Sequence, residues 1–228
     1  MLKFYYSLAP NPMKVALFLE EAGLPYEAVP VDTRKGEQHA PAFTALNPNA
    51  KVPVIVDGAS TVFDSSAILL YLAEKSGQFL PDAAERGAML SWLMFTASGI
   101  GPFSGQSVHF KHYAPEPYPY AINRYDFEAW RHWKILNAHL AGKPWMVSGR
   151  YTLLDMAVWG WARAVPSALG GAEAWEQLPH VKRVFDAINA RPAVQRVNVL
   201  RERHAFKTEM DDEARRAMFP QNERLSAG

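Results

Sequence analysis

Between Gln78 and Ala84 the period of the apolar residues changes, and that change limits the folds open to the chain. Before it, extended and helical patterns alternate. "LKFYYS" reads as a strand, and Met13 to Ala22 places Val15, Ala16 and Leu19 at helical spacing, with Leu17 and Phe18 on the neighbouring stripe. Gly23 is a C-terminal cap for that helix. "YEAVPVDT" is a second extended segment, "RKGEQHAP" a loop and "APAFTALNP" a short helix. "VPVIVDG" and "STVFD" are two strands joined through Asp57 and Gly58, a hairpin signal, and "SSAILLYLAEKSG" is a helix that starts at Ser65 or Ser66 and ends at Gly77. Beyond "QFLPDAA" only helical patterns remain. The expectation is an α/β domain over 1–77, a linker over 78–85, an all-helical domain over 86–200 and a charged, peripheral or partly disordered tail over 201–228.

Composition narrows the chemistry. With 24 Lys and Arg against 23 Asp and Glu, no global field draws in nucleic acid or an anionic membrane, so a small-molecule or protein partner is expected. "MLKFYYSLAPNPMK" lacks an apolar stretch of signal-peptide length, and no run approaches the ~20 apolar residues of a spanning helix. These features predict a soluble, cytoplasmic protein. Cysteine is absent, which removes protein disulfides, thiolate metal sites and any protein thiol nucleophile. Thiol chemistry here requires a thiol that arrives with a ligand.

Asn11 lies between two prolines at the head of the first helical pattern. It reads as a helix N-cap followed by a proline at the first helical position. A compatible functional reading exists, because a capping Asn uses its oxygen as acceptor and keeps its NH₂ for a ligand anion. Such an anion would lie at the positive end of the helix dipole, worth up to ~2 kcal/mol when partly buried. Each unit of thiol pKa depression needs ~1.4 kcal/mol, so one helix end and one amide can supply a unit or two.

Other candidates carry structural and functional readings side by side. Pro53 is tolerated at the first position of a strand in trans; a cis bond after Val52 would turn that residue's backbone outward to pair with an extended peptide. Asp64 or Ser65 caps the helix that follows, or Ser65 and the backbone amides bind a carboxylate while Asp64 takes an ammonium. Thr152 and Asp155 have capping-box spacing ahead of an apolar helix and read as structural. In "GQSVHFKHYAPEPYPYAINRY", His109 and His112 share one helix face without an acidic or Cys partner, so no metal site is expected. Arg124 is either a carboxylate clamp or a surface charge.

In this order the pieces resemble the glutathione transferase family over roughly residues 1 to 200. "LNPNAKVPVIVDG" followed by "FDSSAILLYLAEKSG" looks like its strand with a cis-proline and its serine-led helix, and "TLLDMAVWG" is similar to its helical-domain capping box. "PNPMKVALFLEEAGLPYE", "GIGPFSGQSVHFKHYAPEPYPYAINRY" and "KGEQ" resemble one branch, the bacterial Nu class with its fungal nitrogen-regulator relatives. The resemblance implies a thioredoxin-like N-terminal domain, a helical C-terminal domain, a homodimer, glutathione as substrate or cosubstrate, and disulfide-bond oxidoreduction alongside weak conjugation of electrophiles. It implies that Asn11 approaches the glutathione sulfur and that Gln38 and Lys51 contact the glycine end or backbone. Val52, ahead of Pro53, would pair with the cysteinyl part, while Asp64 and Ser65 hold the γ-glutamyl group. Arg124 would lie in the helical domain or across the dimer interface, with Gln106, His109 and Phe110 in a pocket for the second substrate. The branch often carries threonine two residues before the asparagine, where this chain has Ala9. A glutathione- or protein-binding module without turnover is the rival from another class.

Overall fold

The computed structural model describes residues 1–226. Strand β1 (Leu2–Tyr6) leads into helix α1 (Pro10–Ala22) and strand β2 (Tyr26–Pro30), which pairs parallel to β1. After the short helix α2 (Pro41–Thr44), β3 (Val54–Asp57) and β4 (Ser60–Phe63) form an antiparallel hairpin, and α3 (Ser65–Ser76) completes the unit. The sheet order is β2-β1-β3-β4, with β3 antiparallel to β1. Along β1 the alternation sends Leu2, Phe4 and Tyr6 inward and leaves Lys3 exposed, as a period of two demands.

Helix α1 is buried continuously from Pro12 to Leu19, on every side rather than along one stripe. The reason is its place: it packs on α3 of its own domain and on α7 and α10 of the next. Gly23 ends it in the left-handed conformation at φ 64°, as its position predicts.

The helical part begins with α4 (Arg86–Phe95), which passes through a wide π turn at Thr96–Ile100 into α5 (Gly101–Val108) and a second π turn at His109–Tyr113. Then follow α6 (Pro119–His139), α7 (Leu153–Ala162), α8 (Val165–Leu169), α9 (Pro179–Asn189) and α10 (Pro192–Arg203). The capping box at the start of α7 forms in full: the Thr152 hydroxyl accepts from Leu154 N–H at 3.3 Å, and Asp155 accepts from Thr152 N–H at 2.8 Å. The second Asp155 oxygen accepts from Met146 N–H at 2.9 Å. Burial pushes this carboxyl up to about 6 against the pull of those donors. Among the described residues no helix is long and apolar enough to cross a membrane, and no group of three or more His, Asp and Glu could hold a metal ion.

Two expectations need correction. The tail is folded through most of its length, with α11 (Asp212–Met218) and a 3₁₀ segment, and it lies back across the first domain. Asp32 accepts from Lys207 N–H at 2.7 Å, Arg34 donates to Lys207 O and Thr208 O at 3.0 and 2.7 Å, and Phe206 meets the Tyr6 ring edge-on. The loop's charged side chains therefore bind the tail's backbone, while the Lys207 ammonium pairs with Asp211 and Glu213 inside the tail. Asn11 is also not the N-cap of α1. Ala9 holds that position, Pro10 is the first helical residue and Asn11 the second.

Candidate functional site

That displacement of Asn11 has a simple cause. A helix start leaves about four backbone N–H groups without intrahelical partners. At α1 two of the four belong to Pro10 and Pro12 and do not exist, and Ala9 N–H reaches Ser7 Oγ at 3.4 Å. Only the N–H of Asn11 stays open among the described residues, so no side-chain cap is needed. Ser7 Oγ accepts from Ala9 N–H, and Ser7 is not in the lining of the cleft that Asn11 faces.

The Asn11 side chain is instead held from the helical domain. Trp161, near the end of α7, donates its indole N–H to Asn11 Oδ1 at 2.9 Å. Indole nitrogen is a donor only, so chemistry fixes which way round the amide lies: its oxygen faces Trp161 and its NH₂ is left to the cleft. Glycines make the contact possible. A Cβ on Gly160 would meet Pro10 O at 2.6 Å, and one on Gly101 would meet Trp161 Nε1 at 3.0 Å, so α7 can approach α1, and α5 the Trp161 ring, only because both positions are bare.

Asn11 opens onto a cleft of about 300 Å³ between the two domains. Its sheet-domain wall carries Asn11, Lys14, Lys51, Asp64, Ser65 and Ser66; the facing wall is the π turn and start of α5, with Gln106 one turn further, and Trp161. A π turn widens the helix, which places Thr96 and Ala97 at the cavity. At α3, Asp64 is the N-cap, its Oδ1 accepting from Ser66 N–H at 2.8 Å and Ala67 N–H at 3.1 Å. It sits at φ 67° and ψ 124°, a backbone region that costs a non-glycine residue on the order of 1–3 kcal/mol. Its other oxygen is left for a ligand.

Lys14 was not singled out by sequence reasoning. It is 1% exposed, one turn after Asn11 on the same face, and its Nζ donates to Ser66 Oγ at 3.4 Å. Burial pushes its ammonium down to about 8, with Asp64 pulling the other way. A lone lysine inside the apolar run "MKVALFL" was the available signal. Trp161 left no comparable signal, since it is 150 residues from its partner.

The remaining expected residues lie outside this cleft's lining. Val52 is half-buried and Pro53 buried ahead of β3, with a cis peptide bond between them. The loop before them is pinned by Asn47, whose Nδ2 donates to Lys51 O at 2.7 Å. Gln38 lies beneath the tail, its Nε2 donating to Ala217 O at 3.2 Å. Arg124 is on α6 and donates to Glu128 at 3.0 Å. His109 meets Phe219 of the tail edge-on with ring centres 4.7 Å apart, and Phe110 stacks on Tyr125 at 5.2 Å. Burial lowers the His109 pKa. Among the described residues no tyrosine lines the cleft; Tyr6 is buried with its hydroxyl on Leu200 O and His204, and burial raises it to about 12.

Comparison with known proteins places this geometry. Residues 9–75 match the family model for the glutathione S-transferase N-terminal domain and residues 129–192 that for its C-terminal domain. The disulfide-bond oxidoreductase YfcG of Escherichia coli is 41% identical over 201 residues, spanning 85% of this chain and 92% of that one. The disulfide-bond oxidoreductase YghU of the same organism is 40% identical over 214 residues, spanning 86% and 73%. A crystal structure of a glutathione transferase family member from Pseudomonas fluorescens with two glutathione bound superposes with TM-score 0.81 at 39% identity, covering 86% of this chain and 91% of its own.

Proposed function

The chain belongs to the glutathione S-transferase family, and from that premise we propose that it reduces disulfides with glutathione in the manner of the Nu-class branch. One observation carries the reading: a chain without cysteine presents a cleft built on the amino ends of α1 and α3. The reacting sulfur must therefore come from the ligand. Its thiolate lies at the positive end of α1, where the Asn11 N–H and side-chain NH₂ donate to it and lower its pKa. Asn11 holds the anion and takes no proton, since an amide is no base.

The thiolate attacks one sulfur of the substrate disulfide, forming a mixed disulfide and releasing a thiolate that takes up a proton. A second glutathione thiolate attacks the glutathione sulfur of that intermediate. Two glutathione and one disulfide give oxidised glutathione and two thiols. The wall carrying Gln106 receives the disulfide, with His109 and Phe110 one turn further along the same helix. In this reading Lys51 meets the glycine end, Val52 ahead of Pro53 pairs with the cysteinyl backbone, and Asp64 and Ser65 hold the γ-glutamyl group. Gln38 supports the glycine end through the tail that covers it.

A cytoplasmic homodimer belongs to the same reading. Phe63 on β4, Met94 on α4, and Phe127 and Ile135 on α6 are exposed apolar side chains that a second copy would cover. Arg124, which does not line the cleft of its own chain, would act across that interface.

The test is a rate measurement with glutathione and a small aromatic disulfide, run beside a panel of electrophiles. Disulfide turnover well above conjugation is expected. The reverse order makes the protein a conjugating transferase, and glutathione binding without either activity makes it a binding module.

A further inference from the structure

At the start of α3 the donors available to a ligand carboxylate are fewer than a helix end suggests. Asp64 already holds the N–H groups of Ser66 and Ala67, and of the first three helical residues Ser65 alone keeps its N–H open. A carboxylate has about four acceptor sites and a full charge, and one helical N–H with the hydroxyls of Ser65 and Ser66 offers it neutral donors but no cation. Beside this gap stands Lys14, almost fully buried, lining the same cleft and making a single 3.4 Å hydrogen bond to a neutral hydroxyl. A buried ammonium with two of three donors unused is costly unless an anion completes it.

We propose that Lys14 binds the α-carboxylate of the ligand's γ-glutamyl moiety, so that α1 supplies the cation which the amino end of α3 lacks. The inference rests on glutathione as the cleft's ligand and adds to that reading a residue and a selectivity. The free oxygen of Asp64 takes the adjacent α-ammonium, and the pair recognises an amino-acid end as a zwitterion. A γ-glutamyl compound is thereby preferred to a thiol that lacks the α-carboxylate. Asp64 and Lys51 are the other ionisable groups lining the cleft; Asp64 faces Lys14 from α3, and the contact from α7 is Gly160.

The test is calorimetric titration of wild type and Lys14→Met with two S-methylated ligands, S-methylglutathione and its analogue with 4-aminobutyrate in place of the γ-glutamate, which lacks only the α-carboxylate. Wild type is expected to favour S-methylglutathione by tenfold or more. Lys14→Met should lose that preference while its affinity for the analogue stays within about twofold. A preference retained in the variant overturns the proposal, as does an equal loss for both ligands, which would put Lys14 at the sulfur or in the scaffold. No binding of either ligand by wild type overturns the glutathione reading itself. Wild type alone provides a second measure near pH 8, where Lys14 is partly neutral. Binding of S-methylglutathione there should take up a fraction of a proton, read from buffers of different ionisation enthalpy, and the analogue should take up none; equal uptake by the two overturns the proposal even if the variant fails to fold.

Discussion

Two helices that pack against each other, α1 and α7, begin in opposite ways. At α7 every early N–H has an acceptor: Thr152 donates to Asp155, Leu153 to Phe79 O at 2.9 Å, Leu154 to the Thr152 hydroxyl and Asp155 to Thr152 O at 3.1 Å. At α1 prolines delete two of the donors, Ala9 offers no cap, and the one remaining N–H faces the cleft together with the Asn11 amide. Closure at one helix start leaves nothing over for a ligand, whereas the economy of the other concentrates its positive end on a single residue. The closed helix also positions the open one, since Gly160 and Trp161 near the end of α7 bear on Pro10 and Asn11. Stability and chemistry are thus separated by about two turns along one helix.

The contrast can be broken most directly at Asp155. Asp155→Ala leaves Met146 N–H and Thr152 N–H buried without acceptors and removes the cap. A loss of about 3 kcal/mol is expected. In a chain of this size that lowers Tm by roughly 6–12 °C, measured by differential scanning calorimetry, with kcat/KM per folded molecule within about twofold of wild type. Asn11→Ala should do the opposite. Tm should move by no more than about 2 °C, while loss of a hydrogen bond to a charged sulfur, worth ~1.5–3 kcal/mol, lowers kcat/KM for disulfide reduction about 10- to 100-fold. An Asn11→Ala protein as unstable as Asp155→Ala would erase the distinction.

A smaller effect sharpens it through pH. In the unfolded chain Lys14 has the ordinary lysine pKa of about 10.4, while burial holds the folded value at about 8. Between those values the unfolded state binds more protons, so this residue makes stability rise as pH rises. From pH 8 to pH 9 its contribution is ~1 kcal/mol. Urea titrations of wild type and Lys14→Met at both pH values should show that increment in the difference between them, and parallel curves would show that Lys14 is not buried as a partly neutral base.

The capped start of α7 was legible from the sequence because a capping box is local, four residues that need no other part of the chain. The order of strands and helices over residues 1–77 was legible for the same reason, each period and turn being written in adjacent residues. Asn11 was misplaced by two helical positions because "APNP" fits two registers, and choosing between them requires knowing that two prolines make a cap superfluous. The tail misled through composition: its backbone at Lys207 finds partners in Asp32 and Arg34, more than 170 residues away, and no local pattern records that. Trp161 is the clearest case. An indole in an apolar helix reads as core, and only the crossing of α7 over α1 turns one of its atoms into part of the site.

Trp161 also offers the finest test of the contrast. Trp161→Phe keeps an aromatic ring against Gly101 and Gly105 but removes the N–H that fixes the Asn11 amide. Without that donor the amide can turn its oxygen toward the cleft, where it would repel a thiolate. The orientation is worth about as much as one neutral hydrogen bond, ~0.5–1 kcal/mol, so kcat/KM for disulfide reduction should fall roughly two- to fivefold. Because the indole acts through Asn11, the effect must vanish where Asn11 has already been replaced: Asn11→Ala and the double variant should have equal rates. A fall in the double variant as large as in the single one would make Trp161 a wall of the cleft only, and the helix that closes its own start would no longer be what aims the other.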